Sequence, residues 1–293
     1  MSTRVRARVH RRQRLLRWAV LGTVVVFFAL PLVGMLDYTT KDINTKARTL
    51  ATWRTLADVG KINDQYPALV TGFLNSVGLA VITPIVMLVI LVPTMTWVRL
   101  RLPWLNRTVE FISLLPLTVP AIVLVVGLTP VYSWLTGWLR YFLGPSIGES
   151  TLWLSLAYVI LVLPYSYRAL DAGLRAIDVK TLSEAARSLG ASWVVVMWRV
   201  VLPNLRTAVL SASFLSVALV LGEFTIANLF SRTNLQVAMF LLAKSDAQIS
   251  IAVGLLSLVF AFAVLFGMSF IGSSPAGGSR LRRTLRRSPK ESA

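Results

Sequence analysis

Apolar residues in this chain fall in long unbroken runs. They show neither the alternation of a half-buried strand nor the one-sided stripe of a surface helix. The runs extend over Trp18 to Leu36, Leu74 to Trp97, Val109 to Leu128, Thr151 to Tyr167, Thr207 to Phe230 and Gln248 to Ile271. Each is about the length a helix needs to cross a bilayer's hydrocarbon, so six transmembrane helices are predicted. Pro84 and Pro93 should kink the second, which is tolerable where neighbouring groups satisfy the freed carbonyls. The pair Pro116 and Pro120 should bend or break the third; such a break is either a packing device or part of a transport path.

The intervening segments are polar. Residues 37–68 carry both signs of charge, and within them Thr49 to Val59 has Leu50, Trp53, Leu56 and Ala57 placed for a short amphipathic helix on the outer membrane surface. Residues 129–150 hold Tyr132, Trp134, Trp138, Tyr141 and Phe142, an outer interfacial segment by composition. The same rings could hold a cation on their faces. Ser231 to Ala247 reads as an outside loop. Three regions follow: a basic tail over 1–17, a transmembrane domain over 18–271 and a flexible basic tail over 272–293.

Composition agrees with the pattern, since 56% of the 293 residues are hydrophobic and 14% charged. The net charge of +18 would point a soluble protein toward nucleic acid. Here the cations sit in loops and tails, so anionic headgroups and membrane orientation account for them and no nucleic-acid partner is expected. With both termini inside, inside segments hold 22 basic residues and outside segments 8. The positive-inside rule therefore puts residues 168–206 in the cytoplasm. The first run is too long for a secretory signal, and Val33, Gly34 and Met35 make no small-x-small cleavage site, so it is read as an uncleaved span. The absence of cysteine excludes thiol chemistry and Cys-ligated metal, and the single histidine, His10, stands in the basic tail. No nucleotide-binding loop, catalytic triad or metal-ligand cluster appears, so no catalytic residue, metal or cofactor is assigned.

One segment between runs, residues 178–203, carries Asp178, Lys180, Glu184, Arg187 and Arg199 and must lie in water or against a partner. Asp178 can accept from the free N–H groups of a following helix, on which Val179, Leu182, Ala186 and Leu189 would share a face. Gly190 would end that helix, and Ser192 can cap a second short one that Pro203 closes. Ala185 and Ala186 make a narrow shoulder.

The order Glu184-Ala185-Ala186, three residues, Gly190, nine residues, then Val200-Val201-Leu202-Pro203 closely resembles the EAA loop of ABC-importer permeases, the binding-protein-dependent transport inner-membrane component family. It departs at Val200, where the family usually has Ile. The resemblance implies an all-α, polytopic type I importer transmembrane domain of six helices with both termini cytoplasmic, in the bacterial cell membrane. It implies that Glu184, Ala185, Ala186, Gly190, Leu202 and Pro203 form a loop that couples to a cytoplasmic ATP-binding subunit. The implied partners are two such subunits, a second permease, identical or homologous, an extracytoplasmic solute-binding protein and the lipid bilayer. ATP hydrolysis would belong to the partner, and this chain would be no enzyme.

Candidates for the translocation path are Glu223, the one acidic residue deep in an apolar run, with Asn75, Pro116 and Pro120. Glu223 costs several kcal/mol in hydrocarbon unless paired or wetted, and helix packing or subunit contact fits it as well as substrate contact does. Asn75 and Ser76 resemble the Asn-Ser opening of the family's transmembrane core. With Gly222-Glu223-Phe224 and the Pro116 region they look most like the branch handling polyamines, iron(III), thiamine, phosphonates and sulfate or molybdate. An embedded carboxylate and outer aromatics suit a cation, so spermidine or putrescine is the expected cargo. The competing class, an ion-coupled secondary transporter, predicts several intramembrane acids or histidines and often an internal repeat, whereas one such acid and no repeat are found.

Overall fold

The computed structural model describes residues 3–42 and 45–272. These are helical throughout, apart from joints and one antiparallel bridge between Lys41 and Arg48. In chain order the helices are α1 (Thr3–Thr39), α2 (Ala51–Ala57), α3 (Val59–Gln65), α4 (Pro67–Arg101), α5 (Asn106–Leu114), α6 (Ala121–Leu143), α7 (Pro145–Gly148) and α8 (Leu154–Ala176). They continue with α9 (Val179–Ser188), α10 (Trp193–Val195), α11 (Leu202–Asn204), α12 (Arg206–Leu221), α13 (Thr225–Leu229), α14 (Leu235–Leu242) and α15 (Ala247–Gly272). Among the described residues five helices are long and apolar enough to cross a membrane, and a sixth crossing results if the bent pair Trp193–Asn204 and Arg206–Leu221 is one span. The chain divides into two compact units, residues 1–76 with 227–260 and residues 77–226 with 261–293.

In the first unit α1 runs unbroken from Thr3 through the basic stretch into the apolar stretch Leu16–Thr39. From Leu16 to Tyr38 this helix has no buried residue. Its end is tied down where Gln248 Nε2 donates to the carbonyl of Tyr38 at 3.1 Å. The expected amphipathic helix is present as α2, but Leu56 packs with Tyr66, Met239, Leu242 and Val253 around a core of Leu69, Leu235, Ala238 and Ile249. Asp58 starts α3 by accepting from Lys61 N at 3.2 Å.

The outside loop expected over Ser231 to Ala247 contains α14, capped by Asn234 Oδ1 accepting from Val237 N at 2.9 Å. Its eight residues, LQVAMFLL, are too few for a span yet bury Leu235, Val237 and Ala238. Gly72 permits this packing: a Cβ there would lie 2.8 Å from the carbonyl oxygen of Asn234.

The second unit is centred on α8 and α12, which meet where a Cβ on Gly173 would come within 2.3 Å of that of Ala208. Tyr158, Val162, Leu170, Leu174, Ala212 and Val220 are buried there. The helix α4 passes Pro84 and Pro93 without interruption. The predicted third span is broken: α5 ends at Leu114, a 3-10 turn spans Leu115–Leu117, and α6 starts after Pro120. The crossing helix is displaced to Ala121–Leu143 and takes in the aromatics read as an interfacial segment. Prolines four apart deny two N–H groups to one helix and impose extended geometry on Val119, which explains the break. The fifth span is also shorter than expected, since α12 stops at Leu221 and Gly222, Glu223 and Phe224 form a joint before α13. Of the tail over 272–293, residues 273–293 lie outside the described residues.

Candidate functional site

The segment 178–203 builds the helix–turn–helix its caps predict. Asp178 Oδ1 accepts from Thr181 N at 3.1 Å and Oδ2 from Thr181 Oγ1 at 2.6 Å. Those hydrogen bonds, first from the hydroxyl and then from the backbone, hold the Asp178 carboxyl below its ordinary value of 3.8. Gly190 ends α9 in the left-handed region at φ 84°. Gly190 N donates to Arg187 O at 2.9 Å and Ala191 N to Ala186 O at 3.1 Å, the paired bonds of a Schellman cap. Ser192 Oγ then accepts from Val195 N at 3.4 Å to start α10.

Past that point the expected short helix is irregular. Residues Val196–Val201 wind as a π-helix before α11, and the chain turns by 78° into α12. Pro203 therefore does not close the second helix but sits in the first turn of α11. With no N–H to donate it leaves a carbonyl in the preceding turn unclaimed, which favours the wider winding. Asn204 Nδ2 satisfies the carbonyl of Val200 at 2.7 Å.

The buried side of α9 meets the expected face in Val179 and Ala186 but leaves out Leu182 and Leu189. Val179 and Ser183 are buried and Ala186 half-buried, and α9 packs against the π-helical segment, where Val196 and Val201 are buried. At about 100° per residue, Val179, Ser183 and Ala186 form one stripe. Leu182, Ala185 and Leu189 form a second, rotated away from it. That second stripe faces out, with Leu182 38% and Leu189 89% exposed beside exposed Ala185 and Glu184. An uncovered apolar stripe on a charged helix is a docking surface in form. Leu202 is half-buried and Pro203 exposed.

An ion-paired carboxylate ties α8 to the end of α4, and the loop is held to α4 by aromatic and cation–π contacts. Asp171 on α8 binds Arg175 Nε at 2.7 Å and Arg99 Nη1, at the end of α4, at 3.5 Å. The Trp193 ring lies 5.9 Å from that of Trp97, and the guanidinium carbons of Arg187 and Arg101 stand 5.0 and 5.5 Å from its centroid.

The candidates for a path have structural occupations. Glu223 is buried, and its Oε1 accepts from Ile226 N at 2.7 Å, capping the turn that begins α13. Asn75 Nδ2 donates to the carbonyl of Thr233 at 2.8 Å, while Ser76 Oγ accepts from Leu235 N at 2.8 Å. Pro116 is half-buried in the 3-10 turn, and Pro120 is exposed at the N-terminus of α6. Sequence reasoning missed Asn234 and the outward stripe of α9. The first had a signal, an Asn directly before a short apolar run; the second depends on which neighbour α9 packs against. Among the described residues no group of three or more His, Cys, Asp or Glu side chains could hold a metal.

Residues 68–275 match the family described as binding-protein-dependent transport system inner membrane component. The chain is similar to the molybdenum transport system permease protein ModB of Mycobacterium bovis, 28% identical over 262 residues that cover 86% of this chain and 93% of the relative. The same figures hold for ModB of Mycobacterium tuberculosis. It is also similar to the probable sulfate transport system permease protein cysT of Chlorokybus atmophyticus, 28% identical over 188 residues, 60% of this chain and 65% of the relative.

Proposed function

The chain belongs to the binding-protein-dependent transport system inner membrane component family, the permease subunits of ABC importers, and from that premise we propose that it forms half of an import path for a tetrahedral oxyanion, molybdate first and sulfate second. It is a multi-pass protein of the bacterial inner membrane. The family works in general with ATP-binding subunits and a solute-binding protein. In our reading two ATP-binding subunits dock on the loop 178–203, and a second permease, identical or homologous, completes the path. The permease domain is then 18–271.

The capped helix α9, with Leu182, Ala185 and Leu189 exposed, is the observation that carries the coupling role. Charge bias places it in the cytoplasm. Its two caps and its packing on the π-helical segment make it a rigid lever, so closure of the ATP-binding subunits moves α8 and α12 as a body. No group on this chain is asked to handle ATP; hydrolysis belongs to the partner.

For cargo, the relatives' names favour molybdate or sulfate over the expected polyamine, and the residues read as suiting a cation have structural uses as well. Glu223 caps a helix start through a backbone N–H, and the aromatics expected at the outer rim lie along α6. The test is uptake into proteoliposomes holding the permease, its ATP-binding subunit and its binding protein. Labelled molybdate should accumulate only with internal ATP and the binding protein, with sulfate a weaker competitor. Uptake of spermidine in preference to molybdate would overturn the cargo, and uptake driven by a proton or sodium gradient without ATP would overturn the class.

A further inference from the structure

We propose that the second unit holds a site for one anionic phospholipid of the cytoplasmic leaflet, next to the coupling helix, with acyl chain and headgroup seated in two adjoining grooves. The first groove, about 490 Å³, is walled by Pro93, Thr94, Thr96, Trp97 and Val98 at the end of α4 and by Trp193, Val194, Met197 and Trp198. It is apolar, and Trp97 and Trp198 are half or more exposed in it. The second, about 480 Å³, is lined by Arg101, Lys180, Arg187, Ser183, Ser188 and Glu184, so cations outnumber the one carboxylate. Trp193 lines both grooves, and Arg101 and Arg187 stand at its ring.

The occupant must match a change of medium along a single path. Pro93 to Val98 belong to an apolar span, whereas Arg99 and Arg101 mark where that span ends. A ligand filling both grooves is thus apolar at membrane depth and anionic at the water boundary. An acidic loop of a soluble subunit meets the second condition only. A second copy of this chain meets the first, but it carries +18 overall and would bring further cations to a cationic groove. A phospholipid with a net negative headgroup meets both, since basic pockets on the cytoplasmic side bind such headgroups and tryptophan settles at that depth. Its phosphate would join Arg101, from α4, to Lys180 and Arg187, from α9. The coupling helix would then be braced to the membrane by a lipid.

The site is tested on the purified permease complex, independently of transport. Complexes are reconstituted in nanodiscs of phosphatidylcholine with or without phosphatidylglycerol, and retained lipid is counted by native mass spectrometry. The wild type should keep one phosphatidylglycerol per permease chain beyond those kept by R101Q/K180Q/R187Q, with at least about a tenfold difference in apparent affinity. A charge-matched control, R48Q/R54Q/K61Q, should behave as the wild type. On unaltered protein, a phosphatidylglycerol bearing a photoreactive acyl chain should label the 93–98 and 193–198 peptides, and excess glycerophosphoglycerol should not displace it. Equal retention by the wild type and the groove variant would overturn the proposal. So would labelling confined to other peptides, or full protection of the grooves by the ATP-binding subunit or by a second permease.

Discussion

Leu189 tests the coupling surface most directly. It stands 89% exposed at the end of α9, so the permease gains almost nothing from the side chain before a partner arrives. L189A should therefore insert and melt as the wild type does. Complete burial of a leucine is worth about 1.5–3 kcal/mol, and alanine keeps only the first carbon of the side chain, so docking should lose about 2 kcal/mol. That corresponds to about a 30-fold rise in the dissociation constant for the ATP-binding subunit. Leu182, 38% exposed and so partly buried already, should lose less on truncation. Affinity is read by titrating the detergent-solubilised permease with labelled ATP-binding subunit, and melting temperature is read on the permease alone. A change of less than twofold in affinity for L189A would refute the docking stripe. A lowered melting temperature with unchanged affinity would mean instead that the residue supports the fold.

Four further outcomes follow from the geometry. Gly190 has open space where a Cβ would go, so G190A bears only left-handed strain, about 1–2 kcal/mol. G190P also loses the bond to Arg187 O; this variant and E184K should keep ATP hydrolysis but fail to drive uptake, as proteoliposome assays of both rates would show. G173L should abolish folded protein because its Cβ would collide with Ala208, whereas G22L, with nothing within 4 Å, should express normally. Glu223→Gln retains an acceptor for Ile226 N and should transport at near wild-type rate, while Glu223→Ala should melt lower; loss of transport in the Gln variant with intact stability would restore a role for the charge. The Asp178 cap belongs to the ionised carboxylate, whose folded pKa is lowered, so its stabilisation is full above the ordinary carboxylate range and is lost as pH falls through the lowered value. Protection of the Thr181 amide, its exchange rate taken relative to the intrinsic rate at each pH, should accordingly be flat through neutral pH and lower in Asp178→Ala.

The sequence was most legible where the physics is local. Asp178, Gly190 and Ser192 each act on a backbone group within five residues, so caps and turn could be placed from residue type alone. Long apolar runs likewise located α1, α4, α8 and α15. Legibility failed where a distant partner decides. Leu182 and Ser183 are adjacent, and helical periodicity favours burying the leucine; yet α9 packs through Ser183, leaving Leu182 on the outward stripe. Burying a serine beside an exposed leucine is a poor bargain for an isolated chain, and it makes sense if another subunit supplies the missing burial. The shift of the third crossing had a different cause. Apolar residues stand on both sides of Pro116 and Pro120, so the backbone chemistry of those prolines marks where the crossing helix begins.

The embedded polar residues required a different kind of reading. An Asn, a Ser and a Glu within apolar runs look like ligands for a solute, because hydrocarbon penalises them and function is the usual compensation. Here Asn75, Ser76, Asn234 and Glu223 each bind a backbone N–H or carbonyl at a place where a helix starts or a connection enters. Low dielectric makes an unsatisfied peptide group as costly as a buried side-chain dipole, so every break in a membrane helix calls for such a residue. Breaks at Gly222 to Phe224 and before α14 therefore predict polar side chains whatever the cargo. The cap accounts for an acceptor at this break, and the Gln variant separates that role of Glu223 from any that its charge has toward the solute.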